Sequence, residues 1–459
     1  MPAQLRDQFA SDPVSRHFDD AALIAAMARF EAALALAQAD VGLIARPAAE
    51  CIASVCLALD GNAPPGPPFD VASLVPAARR AGTLAIPFVK ALTASVALRD
   101  ADAARWVHWG ATSQDVLDTA LALQAQAAGR ELQAQIARAG DCLAELALTH
   151  AATPMVGRTL LQSATPITFG WKVAGWLSPL IRVQRSLAQA LEDAGALQLG
   201  GAVGTRAALD GQGDAVAAAM AARLGLVDPP MAWHAHRDRV ARLGCELALV
   251  AGAMAGIGRD ISLLMQPEVG EVFEPSGAGR GGSSAMPHKR NPVGSMLALQ
   301  AGLRAPGLSA ILLGQQMGEH ERGLGSWQGD WWTLGELFEC AGSATEAIGE
   351  CLEGLQVNVA AMQINLERTR GFVHAEAVTV ALGRTLGKSA AQALMERLCE
   401  QAHARGQSLH EALSAACVAD DALARTLAEP RLSELFDPAT QRGDAQDMIE
   451  RTVAQWRDG

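Results

Sequence analysis

Tyrosine is absent from the 459-residue chain, and aromatic residues make up only 4% of it. Half of the residues are nevertheless apolar, so alanine and leucine must fill the interior in place of large rings. Both are strong helix formers, and an interior built from them is typical of closely packed helices. The composition therefore favours an all-α fold.

Close cysteine pairs are also missing. The spacing lacks the CxxC pattern of zinc and redox sites, so we expect no metal centre and instead buried, reduced thiols in the cytosol. The eight cysteines are Cys51, Cys56, Cys142, Cys245, Cys340, Cys351, Cys399 and Cys417.

The chain has no excess of positive charge. Its net charge is −12 and its pI is near 5.3, which opposes binding to nucleic acid. No basic segment followed by an apolar run opens the sequence. We expect charged residues to interrupt every apolar stretch before it reaches the ~18 residues that a membrane span requires. The expected protein is soluble and cytoplasmic, without membrane or nucleic-acid partners.

Two long runs of apolar residues follow the 3,4 spacing of one helix face. One extends from Val240 to Leu264 and the other from Leu117 to Leu146. Helices of roughly 30 residues reach about 45 Å, too long to bury a stripe within one small globule, so we expect a bundle and subunit association. Glycine lowers helix propensity and is tolerable only where packing compensates or a neighbouring backbone approaches closely. Four glycines interrupt the first run, at Gly244, Gly252, Gly256 and Gly258.

Other features limit the fold further. The segment 61–68, Gly-Asn-Ala-Pro-Pro-Gly-Pro-Pro, should break the N-terminal helices. No alternating run is long enough to predict a sheet.

The segment 281–292, Gly-Gly-Ser-Ser-Ala-Met-Pro-His-Lys-Arg-Asn-Pro, combines hydroxyls and cations with a helix-opening Asn-Pro. Asn291 suits an N-cap and Pro292 the first helical turn, so the positive helix end should face back toward Ser283 and Lys289. Such a site attracts a carboxylate. The surrounding glycines permit a loop that closes over a ligand. A plain linker would be glycine-rich too, but would not usually carry this reactive sequence.

Three further segments carry polar side chains suited to anion binding. Segment 108–115, His-Trp-Gly-Ala-Thr-Ser-Gln-Asp, precedes the second apolar run, where Thr112 or Ser113 either only caps the helix or helps to bind an anion. In segment 157–164, Gly-Arg-Thr-Leu-Leu-Gln-Ser-Ala, Arg158 is equally well a ligand contact or a structural arginine. In segment 319–327, Glu-His-Glu-Arg-Gly-Leu-Gly-Ser-Trp, His320 handles a proton or, more commonly, is fixed in a hydrogen-bond network.

These segments resemble the signature regions of the fumarase/aspartase superfamily, whose members add or remove groups across a carbon–carbon bond next to a carboxylate. The resemblance extends from about residue 18 to about residue 380. It implies three helical domains, at 1–112, 113–364 and 365–459, with the signature loop at 266–292 and a long five-helix bundle in the middle domain. It also implies a homotetramer whose active sites each take residues from three subunits.

The resemblance implies site residues as well, and neither a metal nor an organic cofactor. Ser283 would exchange the proton alpha to a substrate carboxylate, with Lys289 as the second catalytic residue. Removing that proton places a second negative charge on the carboxylate, so donors aimed at its oxygens lower the barrier. The implied substrate contacts are His108, Thr112, Ser113, Thr159, Gln162, Met286, Asn291 and Arg322.

Two positions depart from the superfamily pattern. Many relatives have a catalytic histidine where Leu160 stands and a partner glutamate where Met296 stands, and apolar residues at both indicate chemistry that does not use that couple. Within the superfamily the chain is most similar to the bacterial cycloisomerases of protocatechuate breakdown, in the beta-ketoadipate pathway. This similarity implies lactonisation of 3-carboxy-cis,cis-muconate to 4-carboxymuconolactone. Two alternatives stay open: a lyase that releases fumarate from an amino-substituted succinate, and a catalytically silent helical scaffold.

Overall fold

The computed structural model describes residues 7–59, 69–277, 279–283, 285–427 and 429–459. The break predicted at 61–68 lies outside these residues, as does Ser284 of the signature loop. The described part is dominated by helices, and this confirms the all-α prediction.

The helices and strands have the following bounds. The helices are α1 (Asp12–Ser15), α2 (Asp20–Asp40), α3 (Arg46–Leu57), α4 (Val71–Ala81), α5 (Ala85–Ala97), α6 (Ser113–Thr149), α7 (Phe169–Ala194), α8 (Gly213–Leu224), α9 (Asp238–Leu264), α10 (Val293–Gly314), α11 (Asp330–Glu353), α12 (Val359–Arg368), α13 (Ala375–Leu386), α14 (Lys388–Arg405), α15 (Leu409–Ala419), α16 (Asp421–Leu427), α17 (Arg431–Leu435) and α18 (Ala445–Arg457). The strands are β1 (Pro154–Thr159), β2 (Gln162–Thr168), β3 (Val272–Phe273) and β4 (Gln356–Val357).

The two predicted apolar seams lie on α6 and α9, which have 37 and 27 residues. Three more long helices lie in the same part of the chain, between residues 113 and 364. They are α7, α10 and α11, with 26, 22 and 24 residues. The seam prediction is therefore confirmed. The division into three domains stays a prediction.

Small sheets appear where the sequence predicted none. Strands β1 and β2 form an antiparallel hairpin in which Thr159 pairs with Gln162 across a two-residue turn. Strands β3 and β4 pair over two residues each. The expectation of no strands is wrong at these places. Strands β1 and β2 do not alternate, because each is exposed near the turn and more buried away from it, and β3 and β4 have only two residues each.

The chain divides into two compact units. Unit 1 comprises Met1–Ile136, Val183–Met254 and Leu297–Glu346, and unit 2 comprises Ala137–Arg182, Ala255–Met296 and Ala347–Gly459. The core of unit 1 contains many buried alanines of α2, together with apolar residues of α3, α5, α6 and α8. In unit 2 a cluster from α13 to α17 forms a second core. Alanine does fill the interior, as the composition predicted.

The four glycines of α9 have different surroundings. A Cβ on Gly244 would lie 2.3 Å from Leu312 Cδ1, and one on Gly258 would lie 3.2 Å from the Cα of Ser295. At Gly252 and Gly256 nothing lies within 4 Å of that position. Close packing thus accounts for Gly244 and Gly258, whereas Gly252 and Gly256 are exposed.

Two sequence expectations need correction. Helices α9 and α10 are long and apolar enough to cross a membrane by length and composition, so the expectation of no candidate span needs correction, although Glu246 and Arg259 in α9 and Arg304 in α10 do interrupt the apolar stretches before ~18 residues. Core helices of soluble proteins pass the same test, and half of the most apolar window of α9 is buried, against 22% for α10. All eight cysteines are free thiols, but only Cys56, Cys340 and Cys351 are buried and the other five are half-buried.

Candidate active site

A cluster of hydrogen-bonding side chains lies where α6 begins, in unit 1. Arg322 donates from Nη1 to Thr112 Oγ1 (2.8 Å), from Nη2 to Ser113 Oγ (3.5 Å) and from Nε to Gln114 Oε1 (3.3 Å). Three predicted substrate contacts from distant parts of the sequence are therefore adjacent and half-buried. A guanidinium beside two hydroxyls at a helix start is suited to bind a carboxylate.

The fully buried carboxylate of Asp115 fixes the backbone at this helix start. It accepts hydrogen bonds from the amides of Thr112, Gly200 and Gly201, each at 2.9 Å, and lies 2.7 Å from His234 Nε2. The hydroxyl of Thr112 meanwhile accepts from Arg322. Among the described residues the Thr112 hydroxyl thus contacts Arg322 and no amide of the first helical turn, and its role in anion binding stays a prediction.

A second buried network supports Gln114, which orients Arg322. Gln114 donates to Asp118 Oδ2 (3.0 Å) and to the carbonyl of His234 (2.9 Å). Arg237 donates through both Nη atoms to Asp118 (2.8 and 2.9 Å) and through Nε to Asp330 (2.7 Å). Burial raises the pKa of Asp330 to about 6, although Arg237 opposes this.

Sequence reasoning missed this support. A signal was present, because Asp115 and Asp118 stand within the apolar face of α6, next to buried Val116 and Leu117. Charged side chains in such a position are costly unless they are paired. Their partners, His234 for Asp115 and Arg237 for Asp118, were not recognisable, since each lies 119 positions away in the sequence.

His108 is held in unit 1 by the buried helix α2. Its Nδ1 lies 2.6 Å from Glu31 Oε1, the carboxylate of Glu31 is fully buried, and the backbone of His108 has a φ of 61°. Burial alone lowers the pKa of His108, but attraction to Glu31, their hydrogen bond and the nearby Asp115 together raise the pKa above its usual value. A cationic His108 with Nδ1 bound to Glu31 has Nε2 left to donate to a ligand.

The segment after α10 contributes Arg322 but not a fixed histidine. His320 is exposed, has a φ of 52° and makes no side-chain hydrogen bond to any residue that the structure describes. The expectation that a hydrogen-bond network fixes it is wrong. Its neighbour Glu319 instead accepts from the amide of Leu324 (2.9 Å).

In unit 2 the hairpin presents Thr159 and Gln162 side by side, as the last pair before the turn. Both are exposed. The turn consists of Leu160 and Leu161, with φ of 50° and 63° and exposures of 96% and 79%. Hairpin turns with two positive φ values usually contain Asn and Gly, because branched side chains are strained there.

Arg158 precedes this pair and forms an ion pair with Glu271. The two Nη atoms donate to the two oxygens of Glu271 at 2.9 and 2.7 Å, and the carboxylate is fully buried. Of the two interpretations that the sequence left open for Arg158, these contacts favour the structural one.

The signature loop, also in unit 2, is largely exposed. Ser283 Oγ accepts from the amides of Ala285 (3.3 Å) and Met286 (3.1 Å) and is half-buried, whereas the side chains of Met286 and Lys289 are exposed. The Nδ2 of Asn291 donates to the carbonyl of Gly282 (3.2 Å). Ser283, Met286, Lys289 and Asn291 thus share one loop, and Lys289 makes no side-chain hydrogen bond within the described residues.

The start of α10 is capped differently from the prediction. Glu274 accepts from the amides of Gly294 (2.9 Å) and Ser295 (2.8 Å) and from the hydroxyl of Ser295 (2.7 Å), and is 3% exposed. The predicted N-cap role of Asn291 is therefore wrong. The positive end of α10 binds a carboxylate of the chain itself, so its amides are not open to a ligand. Glu274 lies 17 residues before Asn291, too far for a local cap pattern to reveal it.

The predicted residues thus form two groups. His108, Thr112, Ser113 and Arg322 belong to unit 1, and Thr159, Gln162 and the loop residues belong to unit 2. Among the described residues, no group of three or more His, Cys, Asp or Glu side chains is arranged to hold a metal ion.

Comparison with known proteins identifies the family. The pattern of the family described as "Lyase" matches residues 6–307, and that described as "Adenylosuccinate lyase C-terminus" matches residues 371–452. The chain belongs to the fumarase/aspartase superfamily. It is 46% identical to a 3-carboxy-cis,cis-muconate cycloisomerase of Bradyrhizobium diazoefficiens, over 95% of this chain and 94% of the relative. The superfamily resemblance predicted from the motifs is confirmed.

Two further relatives of this superfamily are informative. The crystal structure of 3-carboxy-cis,cis-muconate lactonizing enzyme from Pseudomonas putida matches with a TM-score of 0.91 and 40% identity, and the match covers 99% of each chain. A nitrosuccinate lyase of Streptomyces davaonensis is 41% identical over 97% of this chain and 93% of the relative. Relatives with near-equal identity therefore include both a cycloisomerase and a nitrosuccinate lyase.

Proposed function

We propose that this protein converts 3-carboxy-cis,cis-muconate to 4-carboxymuconolactone. In this reaction one substrate carboxylate oxygen forms a C–O bond to an alkene carbon of the same molecule. The displaced π electrons move toward the carbon alpha to another carboxylate, which is held as an aci-carboxylate until that carbon takes up a proton. The reaction is the superfamily's addition step with a tethered nucleophile.

One observation carries the proposal. An arginine–hydroxyl cluster and the serine–lysine loop are both present, while apolar Leu160 and Met296 replace the histidine–glutamate couple of many relatives. Elimination of an amine requires a proton for the leaving group, whereas lactonisation has no leaving group to protonate. An enzyme without that couple is thus better suited to lactonisation, and the similarity to named cycloisomerases supports this choice.

We assign roles to the site residues on the same basis. Arg322, Thr112, Ser113 and cationic His108 bind one substrate carboxylate, and Thr159 and Gln162 bind a second. Lys289 and Asn291 hold the carboxylate that becomes the aci-carboxylate, and Ser283 delivers the proton to the neighbouring carbon. Met286 lines the site beside Ser283.

We further propose a cytoplasmic homotetramer in which three subunits share each active site and each subunit has domains at 1–112, 113–364 and 365–459. Exposed apolar side chains on α10 support association, namely Leu303 (79% exposed), Ile311 and Leu313. Open glycines on α9 would permit close approach of another helix. Sedimentation velocity of the purified protein tests this directly, since a monomer at micromolar concentration would contradict it.

The substrate test uses two assays on one preparation. Incubation with 3-carboxy-cis,cis-muconate should remove the ultraviolet absorbance of the diene, because the addition breaks its conjugation. Incubation with nitrosuccinate tests a competing elimination by fumarate release, an alternative that the 41% identical lyase favours. The missing histidine–glutamate couple does not argue against this elimination, because nitrite leaves as an anion and needs no proton. Loss of diene absorbance without fumarate release supports the proposal, whereas fumarate release without diene consumption replaces it with the lyase function.

A further inference from the structure

We infer that Arg158, Glu271 and Asn365 are positioning residues that connect the substrate-contacting end of the hairpin to the start of the signature loop. The inference rests on the proposed function, because it takes Thr159, Gln162 and Ser283 as the groups to be positioned. All three positioning residues and both segments lie within unit 2.

The hairpin has two faces with different partners. Successive residues of a strand point to opposite faces, so Thr159 and its partner Gln162 share one face, and Arg158 and its partner Ser163 share the other. The register shifts between Val156 and Arg158, and such a bulge re-aims the side chains that follow it. The side chain that binds Glu271 therefore directly precedes one that we assign to substrate.

Glu271 is anchored through both its side chain and its backbone. Its buried carboxylate accepts two hydrogen bonds from Arg158 and one from Asn365 Nδ2 (2.8 Å). Its amide donates to the carbonyl of Leu264 (3.0 Å), and its carbonyl accepts from the amide of Asn358 (2.9 Å). Glu271 lies near the start of the signature loop at 266–292, and strand β3 follows it immediately, ahead of Ser283. A movement of Glu271 would therefore shift the start of that loop.

Packing alone does not fix this face of the hairpin. A cavity of about 420 Å³ lies there, lined by Val156, Arg158, Ser163, Asn365 and Phe372 among others. Within the part of the chain that the structure describes, the buried apolar cluster beside it consists of Val156, Leu366 and Val373. Because so little apolar surface is buried, the directional hydrogen bonds of a planar guanidinium and a fully buried carboxylate determine the orientation of the hairpin.

The test compares Glu271→Gln and Arg158→Lys with Ser163→Ala. The glutamine loses one acceptor for the arginine fork, and the lysine keeps the charge but cannot donate in parallel. For Glu271→Gln we expect kcat to fall about 100-fold, because a displacement of about 1 Å of a substrate-contacting group costs that much in rate. We also expect KM for 3-carboxy-cis,cis-muconate to rise. Arg158→Lys should change both in the same directions by about tenfold. Ser163→Ala, on the same face without a hydrogen bond to Glu271, should stay within about twofold.

Hydrogen exchange provides a readout that needs no activity. In Glu271→Gln and in Arg158→Lys the backbone amides of residues 159–162, at the hairpin turn, and of residues 272–273 should exchange faster than in the wild type. The amides of α6 should exchange at the wild-type rate. Unchanged kcat, KM and local exchange in Arg158→Lys would overturn the inference, even if Glu271→Gln fails to fold. If the wild type does not consume the muconate, the proposed function fails, and the exchange experiment still decides whether Arg158 and Glu271 couple the two segments.

Discussion

The two groups of predicted site residues are held in opposite ways. In unit 1 Arg322 donates to Thr112, and the buried carboxylate of Asp115 accepts from the Thr112 amide. One turn further along α6, Asp118 is paired with the buried Arg237. In unit 2 the signature loop carries Ser283 directly after Gly281 and Gly282, and its predicted catalytic side chains, Ser283 and Lys289, are half-buried and exposed respectively. A rigid anion site and a loop with few contacts suit different tasks, since binding benefits from preorganisation and loop closure requires freedom to move.

The largest effect should come from the loop. Ser283→Ala should lower kcat for lactonisation by about 1,000-fold, as expected for loss of a positioned proton donor. Its free energy of unfolding should change by less than about 0.5 kcal/mol, because the hydroxyl contacts only neighbouring amides of the loop. Steady-state kinetics and urea denaturation measure the two quantities. Ser262→Ala, at a helical serine of α9, is the matched control and should resemble the wild type in both.

The rigid group should respond in stability first. The Asp115 carboxylate accepts hydrogen bonds from three amides and contacts His234. In Asp115→Asn the side-chain NH₂ group faces some of these donors, so the free energy of unfolding should fall by about 3 kcal/mol. Urea denaturation measures this loss, with Asp102→Asn, at an exposed carboxylate, as the control. If Asp115→Asn is as stable as Asp102→Asn, the contrast between a supported and an unsupported group is lost.

Conservative exchanges of the two cations sharpen the same contrast. Arg322→Lys should lower kcat/KM about tenfold, because a lysine cannot keep the fork to Thr112, Ser113 and Gln114. Lys289→Arg should have a smaller effect, within about threefold, since the exposed side chain has room to adapt. Equal losses in both variants would indicate that the loop is as tightly constrained as the start of α6.

The smallest effect concerns pH. The pKa of His108 is higher in the folded protein than in the unfolded chain, so the stability linked to its proton is complete below about pH 6.5 and is lost as pH rises through the folded value. The free energy of unfolding should therefore fall above about pH 6.5, with a slope of at most about 1.4 kcal/mol per pH unit. Glu31→Gln should flatten this slope, and Glu50→Gln, at an exposed position of α3, should keep it.

The sequence predicted the long helices well and the caps poorly. The seams of α6 and α9 are regular over many turns, so local periodicity was enough to locate them. The cap of α10 by Glu274 and the pairing of Arg158 with Glu271 depend on residues brought together by the fold, 20 or more positions apart. The hairpin was missed because its strands lack a regular alternation of buried and exposed residues and its turn contains two leucines where asparagine and glycine are usual.

The sequence by itself determined the helical class and the superfamily, because these follow from composition, helical periodicity and contiguous motifs. The roles of the reactive side chains stay predictions. Only the tertiary structure decided which polar groups are already satisfied. It assigned the amides of α10 to Glu274, the fork of Arg158 to Glu271 and the hydroxyl of Thr112 to Arg322. The physical reason is that each donor can bond only to acceptors within about 3 Å, and the sequence does not specify which distant acceptor comes that close.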